Sequence, residues 1–220
     1  YEWHLIKDGK DEIIGFDIDI AQAIADELGV ELEVKDMAFD GLIPALSTGK
    51  IDMIIAGMNA TEERKQSVDF TDVYYTQTDI VVIRKEDADK FTSEDSLKTA
   101  ALATQKATVQ ETYLLETFPD AEIQSVPKWN TAIMSLTTGK VDAVMMVDTV
   151  AKQFIAQNDD LMVANFDINS TPNAAAIAVA KNGGDFLETV NNIVNEMKES
   201  GKIEELYQLN DQIVTDNTAE

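Results

Sequence analysis

Arg64 is the side chain with the most specific chemistry to offer. A guanidinium binds a carboxylate through two parallel N–H···O bonds. Within Thr61-Glu62-Glu63-Arg64-Lys65 an arginine would ordinarily be a solvated helix residue. What sets Arg64 apart is its place five residues after Asn59, beyond the apolar run from Ile51 to Ala56. A second place to receive an anion is Ala107-Thr108-Val109-Gln110, where a strand gives way to a helix starting near Val109. The N–H groups at a helix N-terminus favour negative charge, and Thr108 adds a hydroxyl. A plain helix-capping role for Thr108 stands beside that reading. Asn59 and Glu62 have capping-box spacing, so Asn59 starts a helix, offers its backbone N–H to an anion, or does both. Gly57 has no side chain to keep a ligand cation away from its carbonyl.

Other chemistries lack their parts. The chain of 220 residues has no cysteine and one histidine, His4, which reads as a surface or edge residue. Thiol nucleophiles, thiolate metal sites and disulfides are therefore excluded. No HExxH, Walker A or GxSxG pattern occurs, so we expect no catalytic residue, metal or cofactor. With 17 basic and 41 acidic residues the formal charge is -24. Such a surface repels nucleic-acid backbones and anionic lipid headgroups. It marks either a solvated acidic exterior or an attraction for cations. No apolar run reaches the ~18 residues a membrane span needs. The chain opens at Tyr1 without a targeting segment, as expected of a mature or trimmed form.

The candidates must be positioned by alternating strands and helices, which predicts α/β architecture with mainly parallel sheets. Glu12 to Phe16 reads as a strand entering a helix, and Ile20, Ala21, Ile24, Ala25 and Leu28 recur at helical spacing before Gly29. Val30 to Val34 reads as a strand. Asp40 reads as the cap of a short helix, followed by a buried strand from Ile51 to Ala56. Asn173 to Ala180 is an apolar strand. Asp185 reads as the cap of a long helix with Phe186, Val190, Ile193, Val194 and Met197 on one face. Residues after about Val214 read as frayed.

The most informative pattern is internal. DGLIPALSTGKIDMIIAGM, from Asp40 to Met58, matches NTAIMSLTTGKVDAVMMVD, from Asn130 to Asp148, without a gap. Each copy is a helix, a glycine stop and an apolar strand, which predicts two similar lobes. In open α/β sheets ligands bind beyond the carboxyl ends of strands. That places Gly57, Met58 and Asn59 of one copy, and Val147, Asp148 and Thr149 of the other, at a shared cleft.

Several segments together resemble the amino-acid-binding proteins of ABC importers, the solute-binding proteins of family 3. They are GFDIDIAQAIADELGV (Gly15 to Val30), FDGLIPALSTGKIDMIIAGMNATEERKQSVDFTDVYY (Phe39 to Tyr75), QKATVQETY (Gln105 to Tyr113), TTGKVDAV (Thr137 to Val144) and the strand ending IAVAKNG. The resemblance implies a two-lobed type II periplasmic-binding-protein-like fold with a two-strand hinge. Lobe one would be residues 1–78 plus 178–220, and lobe two 79–177. The hinge would be the crossings near Gln77 to Asp79 and Asn173 to Ile177, with closure on a ligand.

The resemblance further implies a free amino acid as ligand and the membrane permease of an ABC importer as partner. The protein would be an extracytoplasmic monomer, either periplasmic or lipid-anchored at the surface of a Gram-positive cell. Arg64, Asn59, Thr108, Ala107 and Val109 would hold the carboxylate, and Gly57 the ammonium. Phe39, with Met58 nearby, would pack on the ligand. The family more often has glycine where Ala107 stands. Tyr1 and Trp3 would be further aromatics near the cleft mouth. The family's acidic residue for the ammonium aligns with Val147, one position before Asp148. Either a one-residue bulge brings Asp148 into place, or the ammonium site is altered and the ligand is another carboxylate. Two further readings share the fold: a cyclohexadienyl-dehydratase-like enzyme, with Asp148 or Glu111 as general acid, and the sensor domain of a receptor.

Overall fold

The computed structural model describes the backbone of residues 3–7 and 10–217 and the side chains of 13–214. Strands β1 (Trp3–Lys7) and β2 (Lys10–Ile14) pair antiparallel, with Trp3 opposite Ile14. Helix α1 (Phe16–Leu28) follows and buries Phe16, Ile20, Ile24 and Ala25, the face its periodicity predicts. Burying each of these isoleucines contributes roughly 1.5–3 kcal/mol. Gly29 ends the helix with its N–H on the carbonyls of Ala25 and Asp26.

Next come α2 (Leu42–Ser47), β3 (Met53–Ile54), α3 (Glu62–Lys65), β4 (Val68–Gln77) and β5 (Asp79–Arg84). The middle of the chain forms β6 (Ala101–Gln105), α4 (Val109–Thr117), β7 (Glu122–Val126), α5 (Trp129–Thr137), β8 (Ala143–Val147), α6 (Asp148–Ala156) and β9 (Leu161–Val163). The chain then returns through β10 (Asn173–Ala180), α7 (Gly184–Glu199) and α8 (Lys202–Asn217).

These elements fold as two compact units. The first comprises the described residues up to Met37, Gly41–Thr76, and those from Ala174 onward; the second comprises Ala38–Asp40 and Gln77–Asn173. The first unit holds a sheet of order β3-β10-β4, in which β3 and β10 are antiparallel. Its core joins α1, β10 and α7 through Ile20, Ile24, Ile177, Val190, Val194 and Met197. The second unit holds a sheet of order β7-β6-β8-β5-β9. There β6 is parallel to β7 and β8, while β5 is antiparallel to β8 and β9. Alternation along β5 sends Val81 and Ile83 to one core, with Leu102, Leu114 and Phe118, and Val82 to the other, with Ile133, Leu136 and Met146. The architecture is α/β as expected, but the five-stranded sheet is mixed rather than mainly parallel.

The repeat is real in three dimensions. The C-terminal turns of α2 and α5 are built from the same bonds. Thr48 N–H reaches Pro44 O (3.2 Å), Gly49 reaches Leu46 (3.1 Å) and Lys50 reaches Ala45 (3.0 Å); Thr138, Gly139 and Lys140 reach Met134 (3.1 Å), Leu136 (3.1 Å) and Ser135 (2.9 Å). Gly49 and Gly139 take φ of 69° and 70°, the left-handed backbone that glycine adopts without a Cβ penalty.

Several expectations fail for physical reasons. Val30 to Val34 forms no strand; Val30 is 58% and Val34 39% exposed. A strand needs a neighbour to bond and an apolar surface to lie on, and none of the described strands supplies one there. The strand expected from Ile51 to Ala56 shrinks to Met53–Ile54. Asp40 does not cap α2, whose N-cap is Gly41 with no side-chain bond; the Asp40 carboxylate pairs with Lys106 Nζ at 3.0 Å instead. Asp185 lies inside the first turn of α7, and Phe186 is partly exposed, off the buried face of Val190, Ile193, Val194 and Met197. The entry to α7 is held from elsewhere: Asp69 on β4 accepts the N–H groups of Asn182 (2.7 Å) and Gly183 (3.3 Å). Helix α8 continues beyond Val214 to Asn217, so the expected fraying does not begin at Val214. Residues 218–220 lie outside those described.

Candidate functional site

In the first unit the chain leaves β3 through Gly57, whose φ is +57°. The Gly57 N–H donates to Asp17 Oδ2 (3.0 Å) and Tyr74 Oη (3.2 Å), and Tyr74 Oη donates to Asp17 Oδ1 (2.8 Å). Asp17 is 1% exposed, so this network fixes the Gly57 peptide from the buried side. Met58 is buried at 1%, and its carbonyl accepts from Ala176 N–H at 2.9 Å. Asn59 forms a lone bridge with Ala175. Its carbonyl accepts Thr61 N–H (3.0 Å) and Arg64 Nη1 (2.9 Å). The cap of α3 is therefore Thr61, whose side chain accepts Arg64 N–H at 3.2 Å. Asn59 is not the N-cap, and its carbonyl holds the guanidinium instead. A guanidinium carries five donors, so this bond is compatible with binding a carboxylate. Burial pulls the Arg64 pKa down, and Glu63 opposes the shift. Phe39, which belongs to the second unit, lies half-buried in a 3-10 turn, Phe39–Gly41. Tyr1 and the side chains of Trp3 and His4 lie outside the described residues.

In the second unit, Ala107, Thr108 and Val109 form the step from β6 into α4. Thr108 is the N-cap and is 7% exposed. Its hydroxyl donates to Gln105 O (2.6 Å) and accepts Glu111 N–H (3.3 Å). The hydroxyl is thus spent on the turn. What the turn offers an anion is backbone: no acceptor among the described residues takes the N–H of Thr108, Val109 or Gln110. Ala107 has φ of +64°, a region that costs a non-glycine residue roughly 1 kcal/mol.

The register of β5 on β8 runs without interruption from Ile83↔Ala143 to Asp79↔Val147. There is no bulge, and Val147 is 7% exposed. Asp148 is presented differently, as the first residue of α6. Its Oδ1 accepts Thr149 N–H (2.8 Å) and its Oδ2 accepts Thr78 Oγ1 (3.3 Å).

One polar centre escaped the sequence reading. Asp79 is 6% exposed, and its carboxylate accepts Gln110 Nε2 (2.7 Å), Ser170 Oγ (2.8 Å) and Asn173 Nδ2. It ties the first turn of α4 to the starts of β5 and β10. Burial raises its pKa against the pull of these three donors, and the nearby Asp148 charge adds to the rise. The only sequence signal was an acid at the head of the otherwise apolar Asp79-Ile80-Val81-Val82-Ile83. Among the described residues no cluster of histidine and carboxylate side chains could hold a metal. No helix there is long and apolar enough to cross a membrane.

Residues 2–209 match the family model of bacterial extracellular solute-binding proteins, family 3. An arginine-binding extracellular protein of Bacillus subtilis is 32% identical over 199 residues, 89% of this chain and 77% of that protein. A probable histidine-binding protein of Campylobacter jejuni is 35% identical over 191 residues, covering 86% and 73%. Among solved structures, an amino acid ABC transporter substrate-binding protein of Streptococcus pneumoniae bound to L-arginine superposes with a TM-score of 0.92. It is 33% identical and covers 100% of this chain and 91% of that one. An ancestral arginine-binding protein bound to glutamine gives a TM-score of 0.86 at 34% identity, covering 94% and 91%. The chain belongs to family 3 of the bacterial extracellular solute-binding proteins.

Proposed function

We propose that this chain captures a free amino acid outside the cytoplasm and delivers it to the permease of an ABC importer. The observation that carries the reading is the likeness along the whole chain to a substrate-binding protein solved with L-arginine bound. Arg64 and the N–H groups of Thr108 and Val109 receive the ligand's carboxylate, with Asn59 and Ala107 shaping the two turns. The Gly57 carbonyl and the Asp148 carboxylate receive the ammonium, and Phe39 packs on the ligand beside the Met58 backbone. The segments Gln77–Asp79 and Asn173–Ile177 are the hinge, and ligand favours a closed state through its differential affinity. The protein acts as a monomer, and an acidic exterior of charge -24 favours the approach of a cationic amino acid. The relatives named for the family are solute-binding proteins, so the enzymatic reading is set aside. A thermal-shift screen of the twenty amino acids tests the proposal. A ligand at 100 times its Kd adds about 2.7 kcal/mol of stability, and L-arginine is the expected first hit. No shift with any amino acid would contradict it.

A further inference from the structure

We infer that Glu111 is a positioning residue: its carboxylate holds the Ala107 peptide in the left-handed turn that leaves the first N–H groups of α4 open to an anion. In an ordinary capping box the carboxylate three residues into the helix reaches back to the N–H of the cap residue itself. Here Thr108 is the cap and its hydroxyl accepts Glu111 N–H at 3.3 Å, the normal half of the motif. The Glu111 carboxylate goes one residue further, accepting Ala107 N–H at 2.6 Å. This displacement has two effects. It places a short, charge-assisted bond on the residue whose φ of +64° a non-glycine side chain resists. It also leaves Thr108 N–H, which an ordinary capping box would consume, beside those of Val109 and Gln110. Ala107 itself is exposed.

The inference rests on the reading that these N–H groups receive the ligand's carboxylate. Its test separates the two claims by using the full chain in two measurements: amide hydrogen exchange without ligand, and calorimetry with L-arginine. Glu111→Ala should speed exchange at Ala107 by about 10-fold or more and weaken L-arginine binding by about 10-fold, the loss of one such bond. Glu111→Gln keeps an acceptor oxygen and should stay within about 3-fold of the wild type on both counts. The decisive comparison is Ala107→Gly, because glycine takes positive φ freely. In that background Glu111→Ala should change affinity by less than about 3-fold. An equal loss in both backgrounds would mean that Glu111 acts on the ligand itself and would overturn the inference. Unchanged exchange at Ala107 in Glu111→Ala would overturn it too. If the wild type binds no amino acid, the proposed function falls, and the exchange measurement still decides whether Glu111 holds Ala107.

Discussion

The two copies of the repeat begin alike and end differently. Both close a helix with the same threonine-glycine-lysine turn, bond for bond. Beyond the turn, the first copy yields the two-residue β3, at the edge of a three-stranded sheet. The second yields the five-residue β8, buried throughout in the middle of a five-stranded one. A strand bonded on both sides is held along its length, whereas an edge strand is held only where its single neighbour runs beside it. The chain leaving each strand differs in the same way. The first copy continues as irregular chain pinned by Asp17 and Tyr74, which leads into α3 and Arg64; the second passes directly into α6 with Asp148 at its head. Local sequence sets the turn, and the neighbours of each strand set the rest.

Substitutions at matched positions test that contrast. Met145→Ala in β8 removes a side chain 2% exposed and should cost about 2–5 kcal/mol in denaturant unfolding. Ile55→Ala, its counterpart, is half-buried and should cost about 1–2 kcal/mol. Equal costs would remove the distinction between the central strand and the chain just past the edge strand.

The turn itself should respond symmetrically. At Gly49 and Gly139 an added Cβ would meet nothing within 4 Å, so only backbone strain is at stake. Gly49→Ala and Gly139→Ala should each cost about 1 kcal/mol. The two values should agree within about 0.5 kcal/mol. A large inequality would show that the turns are not equivalent.

The aspartates that come after the turns should diverge again. Asp142 accepts Ala101 N–H at 3.0 Å and lies 3.5 Å from Arg84 Nη2, while Asp52 is exposed. Asp142→Asn should cost about 1 kcal/mol, and Asp52→Asn less than about 0.5 kcal/mol.

The smallest effect concerns Asp79. Its carboxyl is raised above the usual range by burial, so the folded state favours the protonated form. This contribution is fully present below the unfolded-state pKa and is lost as pH rises through the raised folded-state value. Stability of the wild type relative to Asp79→Asn should therefore increase as pH falls from 7 toward 4. A difference independent of pH would show that Asp79 does not titrate there.

What the sequence revealed divides along the same line. The helix-glycine turns were legible because each is specified within about ten consecutive residues, as at Leu42–Gly49 and Trp129–Gly139. The start of α4 at Thr108 was legible for the same reason. Val30 to Val34 was misread because its alternation specifies a strand only where a neighbour receives it. In Asn59-Ala60-Thr61 two residues can cap; the Thr61 side chain accepts Arg64 N–H, while the Asn59 carbonyl holds the Arg64 guanidinium. The Asp79 centre was invisible because its donors lie 31, 91 and 94 residues away. Asp148 stands at a helix start and not at a bulge, a distinction that depends on the unbroken β5–β8 register.

The role proposed for Arg64 is to receive the carboxylate of an amino acid. The most direct test is isothermal titration of L-arginine into the wild type and Arg64→Ala, with unliganded melting temperatures as a control on folding. Loss of a bidentate charged contact should weaken binding by about 100-fold or more, with the unliganded melting temperature little changed. Unchanged affinity in Arg64→Ala, for L-arginine and every other amino acid that the wild type binds, would contradict the account.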